Sequence, residues 1–87
     1  MGRARIDRPQ NLARKLLQIR KSLGLSQNAL IALFGISDSL TQAEVSAFEQ
    51  GKRVPPLLVL LRYARAFRVH VDDLIDDEID LDLAKRD

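Results

Sequence analysis

Three glycines punctuate residues 24–51 of this chain and leave it few ways to fold. Gly24, Gly35 and Gly51 each follow a short run whose apolar residues recur at helical spacing. Leu12, Leu16, Ile19 and Leu23 line one face of a helix over residues 12–23, with Arg14, Lys15 and Lys21 placed on its other faces. Gly24 is then a natural left-handed terminator. Ser26 follows as an N-cap, its hydroxyl accepting from a backbone N–H one turn on. A second helix over residues 27–34 turns Leu30 and Leu33 with Phe34 inward and stops at Gly35. Helices shorter than about 12–15 residues are marginal alone in water, so packing has to hold these together.

The third helix has two possible starts, Ser37 and Thr41. Thr41-Gln42-Ala43-Glu44 is a capping box, with Glu44 at the third helical position, and this favours Thr41. Val45 and Phe48 point inward, and Gly51 ends the helix. Lys52-Arg53-Val54-Pro55-Pro56 is a basic, proline-stiffened turn, and a proline is tolerated in a helix's first turn. A fourth helix runs to about Phe67, with Leu57, Leu60, Leu61, Ala64 and Phe67 as its apolar stripe. A fifth starts after His70, where Asp72 and Asp73 suit a helix N-terminus and Leu74 and Ile75 face inward. Beyond it, Ile79-Asp80-Leu81-Asp82-Leu83 alternates as a strand does, while Ile75, Ile79 and Leu83 also fit one helical stripe.

This is an all-α chain of 87 residues, one domain in size. With no cysteine and one histidine, it excludes a disulfide framework, a thiolate nucleophile and a multi-histidine metal site. No apolar run suits a membrane span, no signal-peptide pattern opens the chain, and a cytoplasmic location is expected. Carboxylates gather where solvent is expected instead of converging in a pocket, so neither catalysis nor a cofactor is expected. Charge is sharply segregated. Residues 1–71 hold 12 Lys and Arg against 4 Asp and Glu, and residues 72–87 hold 2 against 8. One end attracts polyanions and the other repels them.

Two short helices around a glycine turn, the second presenting small side chains, can lay that second helix in a DNA major groove. In order along the chain stand Leu16 and Arg20; Leu25-Ser26-Gln27; Val45 with Phe48-Glu49 and Gly51-Lys52-Arg53; Pro55; Leu60, Tyr63, Ala64 and Phe67; then Val69, Val71 and Leu74. With these residues the chain resembles the Cro/phage-repressor-type (Xre-like) helix-turn-helix family over about residues 12 to 75. The resemblance implies a compact five-helix, lambda-repressor-like helix-turn-helix domain at 12–75; by charge, a basic N-terminal arm at 1–11 and an acidic C-terminal extension at 76–87 flank it. The step from Gly35 to Glu49 is longer than the family pattern, with the surplus around Asp38-Ser39-Leu40.

The resemblance implies a sequence-specific, double-stranded DNA-binding transcriptional regulator, a repressor, which reads the major groove with the helix starting near Thr41 and acts as a homodimer. Gln42, Ala43, Ser46 and Ala47 are the base-reading candidates; an amide at position 42 can both donate to and accept from adenine. Gln27, Asn28, Ser39, Thr41, Lys52 and Arg53 are the phosphate candidates. Gln27 is otherwise a solvated helix-start side chain, and the two alanines also serve as plain helix formers. Glu44 completes the capping box, accepts from cytosine or repels phosphate. By resemblance, Arg20 and Glu49 pair between helices 1 and 3 and hold the recognition helix against the scaffold. The basic arm, with Arg3, Arg5 and Arg8, either tracks DNA or is solvated. Arg14, Lys15, Arg62, Arg65 and Arg68 read as outer-face charges. The end of helix 4, helix 5 and the strip Ile79, Leu81 and Leu83 form the expected dimer surface. The competing reading is an antitoxin-like or adaptor module that grips a protein partner through that same strip.

Overall fold

The computed structural model describes residues 9–81, and this region is built of five α-helices with no strand. The helices are α1 Leu12–Leu23, α2 Gln27–Phe34, α3 Gln42–Glu49, α4 Leu57–Phe67 and α5 Val71–Ile75. Local chemistry marks nearly every boundary. Ser26 Oγ accepts from Ala29 N at 3.0 Å to cap α2, and α1 and α2 both end on glycines in the left-handed region. The α3 capping box is complete: Thr41 Oγ1 accepts from Glu44 N at 3.2 Å, and Glu44 Oε1 accepts from Thr41 N at 2.9 Å. Pro55 and Pro56 directly precede α4, which ends on Arg68, a non-glycine residue at φ 59°. His70 N donates to Asp73 Oδ2 at 2.9 Å to open α5.

α1 packs against α3, α4 and α5, while α2 lies on α3. The core joins Leu16, Ile19, Leu30, Phe34, Val45, Phe48, Leu60, Ala64, Phe67 and Leu74, as the helical spacing predicts, and adds Ile31, Val59 and Tyr63. The Tyr63 and Phe34 rings meet edge to face at 5.0 Å and 73°. Burial raises the Tyr63 hydroxyl well above its ordinary pKa, and that hydroxyl has no hydrogen-bond partner among the described residues.

Four inward assignments need correction. Leu33 is 57% exposed because α2 turns Leu30, Ile31 and Phe34 to the core, leaving Leu33 off that stripe. Leu57 is 78% exposed and Leu61 is only half-buried. At about 100° per residue the α4 stripe centres on Leu60, Tyr63 and Phe67, and both leucines fall at its edges. Ile75 is exposed, since the short α5 seats only Leu74.

Lys15, an outer-face charge by the sequence reading, needs the opposite correction, and it is the most consequential. It is fully buried, and its ammonium donates to the carbonyls of Asp73 and Asp76, both at 2.8 Å. A cation there meets the negative end of α5. The signal lay in the spacing: Lys15 stands three residues after Leu12 and one before Leu16, inside the apolar stripe.

The segment after α5 is neither strand nor helix within the described residues. Asp76 Oδ1 accepts from Glu78 N and Asp76 O from Ile79 N, which closes a turn. Asp77 then reaches back to α1: its two carboxylate oxygens accept from Gln10 N and Asn11 N, each at 2.9 Å. α1 has no local side-chain cap, so this distant carboxylate serves as one. These two bonds, with Lys15 nearby, hold the Asp77 pKa below the usual carboxylate range. Arg14 adds an exposed pair with Asp80 at 3.1 Å, a contact of small value. Leu81 is half-buried against the core. Residues 76–81 are thus a strap across α1, and not merely a solvated acidic tail.

Candidate nucleic-acid interface

The long turn ahead of α3 keeps its extra residues in order. Ser39 N donates to Ile36 O at 2.9 Å, and Leu40 drops into the core at 4% exposure. One buried leucine therefore anchors the added length and delivers Thr41 to the start of α3. Among the surplus residues, Leu40 was the one apolar side chain, and that was its signal.

Arg20 and Glu49 meet as the family resemblance implies. Arg20 Nε donates to Glu49 Oε2 at 2.6 Å and Nη2 to Oε1 at 3.0 Å, while Nη1 donates to Leu25 O at 2.9 Å. The Glu49 side chain is only 5% exposed. Its hydrogen bond, more than charge proximity, raises the Arg20 pKa above the ordinary value. α1, the α1–α2 turn and α3 are thereby locked together.

The same carboxylate reaches a third group. Gln27 Nε2 donates to Glu49 Oε1 at 3.0 Å, and Gln27 Oε1 accepts from Gln42 Nε2 at 3.2 Å. The first residues of α2 and α3 are joined through their amides, and this chain of contacts leads from the core to the exposed Gln42. The family pattern led to Arg20 and Glu49; it did not point to the Gln27 link.

The outward face of α3 is small and carries no free carboxylate. Ala43 is exposed; Ser46 and Ala47 are half-buried. Ser46 Oγ accepts from Gln50 Nε2 at 2.8 Å. Glu44 is held by Thr41 and by Arg53, whose Nη1 lies 3.5 Å from Glu44 Oε2. The backbone bond from Thr41 is the main cause of its lowered pKa. Capping is therefore what Glu44 does here.

Of the phosphate candidates, Asn28, Ser39, Lys52 and Arg53 are exposed, and Gln27 is half-buried. Thr41 differs: its hydroxyl accepts from Glu44 N and donates to Glu44 Oε1 at 3.2 Å, so it is engaged in the cap. The C-terminal strip is not brought together as one free face. Ile79 is exposed, Leu81 packs on the core and Leu83 lies outside the described residues. Arg3, Arg5 and Arg8 of the arm also lie outside them. Among the described residues no helix is long and apolar enough to cross a membrane, and no cluster of His, Asp or Glu is suited to a metal ion.

A family model described as helix-turn-helix, of the Cro/C1 type, matches residues 16–74. No curated protein and no solved structure matches the chain. The matched stretch runs from Leu16 in α1 to Leu74 in α5 and contains the whole Arg20–Glu49–Gln27–Gln42 network. The chain belongs to the Xre-like helix-turn-helix family of DNA-binding regulators.

Proposed function

We propose that the protein is a sequence-specific repressor that reads the major groove of double-stranded DNA with α3, without catalysis. The observation that carries the reading is the α3 face itself. Gln42, Ala43, Ser46 and Ala47 stand on it, small or amide-bearing, with Glu44 neutralised by its cap and Arg53. A groove lined by phosphates repels carboxylates, and this face offers it none that is unpaired. Gln42 is the base reader, Ala43 and Ala47 allow close approach, and Ser46 adds a polar contact. Gln27, Asn28, Ser39, Lys52 and Arg53 flank the helix as phosphate contacts, while Thr41 sets its first turn. Regulation of a nearby promoter by occlusion is the simplest outcome for a domain of this size.

One recognition helix reads few base pairs, and a two-fold pair doubles the specific contact. We read the acting form as a homodimer with half-sites about 34 Å apart. Ile75 and Ile79 are exposed apolar side chains near the end of the described chain and favour pairing there. Glutamate at both positions is expected to abolish the dimer in sedimentation without unfolding the protein.

The main test is Gln42→Ala. It is expected to cost about 1–3 kcal/mol on the preferred site and almost nothing on random duplex. An equal loss on both would reassign Gln42 to the DNA backbone. The preferred site comes from selection out of a random duplex pool, which also reports half-site spacing.

A further inference from the structure

We propose that the acidic face formed by α5 and the strap on one copy of the chain seats in a basic groove between α2 and α4 of a second copy. The inference rests on the homodimer reading above and names the surface that Ile75 and Ile79 meet. On the acidic side, Ile75 and Ile79 are 42% and 37% exposed, and Asp72, Asp76 and Glu78 stand exposed around them in the chain. Asp77 is engaged at the entrance to α1 and Asp80 with Arg14. The carboxylates of Asp72 and Glu78 have no partner among the described residues. Two such faces suit one another poorly. Pairing like patch with like patch brings each carboxylate toward those of the other copy, and juxtaposed like charges oppose association. The two isoleucines favour burial, but the acids around them call for cations.

The groove supplies them. Leu33, Phe34 and Ala66 line it together with Arg62 and Arg65, around a volume of about 280 Å³. Both arginines are exposed and unpaired among the described residues, and no carboxylate lines the groove. Leu33 is 57% exposed there, and Leu58, 74% exposed, stands one turn before Arg62 on α4. An isoleucine from the acidic face can lie against Leu33 while its flanking carboxylates meet the two guanidiniums, whose forked donors suit a carboxylate. The groove opens at the C-terminal end of α2, about 9 Å along that helix from Gln27, which leaves the first residues of α2 and α3 open to DNA. Each copy carries both patches, so two copies can dock reciprocally about a two-fold axis.

Charge reversal, read by sedimentation equilibrium of the full chain without DNA, tests this docking. Arg62→Glu with Arg65→Glu alters the groove alone, and Asp72→Lys with Glu78→Lys alters the acidic face alone. Each variant by itself is expected to associate about tenfold more weakly than the native chain, or worse. Mixed one to one, the two variants are expected to recover the native association, because every groove then meets a face of opposite charge. Circular dichroism checks that helix content is kept, and Glu78→Lys alone replaces its pair if Asp72→Lys loosens α5. A groove variant that dimerises as the native chain does would overturn the proposal and leave Ile75 and Ile79 to pair with themselves. If that variant also loses affinity for duplex DNA, the arginines are phosphate contacts instead. Weakened variants that fail to recover on mixing would overturn it as well. A native chain that stays monomeric at every concentration removes the homodimer reading itself, whereas a native dimer with an unaffected groove variant removes only the groove.

Discussion

Two carboxylates, Glu49 and Asp77, solve opposite problems toward opposite ends of α1. Glu49 is nearly inaccessible and bonded by Arg20 and Gln27 side chains from α1 and α2. Asp77 is exposed and bonded to two backbone N–H groups at the entrance to α1. The first orients other side chains, because a buried ion can tolerate only partners that match its chemistry. The second closes a helix end that local residues leave open. Burial makes a charge directive; exposure leaves it adaptable. Glu49 serves the recognition helix, and Asp77 serves the strap.

This contrast can be broken experimentally. Arg20→Ala strands Glu49 in the interior and is expected to cost about 3 kcal/mol in urea unfolding; a loss below about 1 kcal/mol would mean that solvent reaches the pair freely. Lys15→Met preserves the stem but leaves the Asp73 and Asp76 carbonyls without their cation, at a cost of about 2 kcal/mol. A neutral result there would show that the strap closes without Lys15. Thr41→Ala removes one half of the α3 cap and costs about 1 kcal/mol, and it weakens specific binding in parallel if the first turn of α3 is what DNA meets.

Acid acts on both ends. Asp77 and Glu44 both have folded pKa values below their unfolded ones. Their contribution is therefore present at neutral pH and is lost as pH falls below the ordinary carboxylate range of about 4 toward the lower folded values. Asp77→Asn is expected to make the acid limb of a stability–pH curve shallower, and an unchanged limb would remove Asp77 from the account. Tyr63→Phe gives the smallest effect. Its hydroxyl forms no hydrogen bond among the described residues, so deleting it is expected to shift stability by less than about 1 kcal/mol. A larger loss, measured the same way, would mean that the hydroxyl is bonded in solution.

Much of the fold was legible along the chain because its signals are local. A serine, a threonine with a glutamate three residues on, and two glycines mark the bounds of α1, α2 and α3 within a turn of themselves. The helical stripes located most of the core by the same logic. They failed at Leu33, Leu57 and Ile75, where periodicity permits a face but the edge of the neighbouring helix decides how far burial extends. Lys15 departs for a different reason: charge along a sequence implies exposure, but two carbonyls at the end of α5 make burial tolerable.

The candidate site divides in the same way. Residue types near Thr41 and the family pattern pointed to Gln42, Ala43, Arg20 and Glu49. The bonds from Glu49 through Gln27 to Gln42 join residues 22 and 15 positions apart and have no signature in spacing. Caps, stops and stripes depend on neighbours within a turn or two, and so the order of residues settles them. Which carboxylate meets which amide, and whether an acidic segment floats or clasps α1, depends on how helices pack. Hydrogen bonds act over about 3 Å, and only the folded chain brings such distant groups that close.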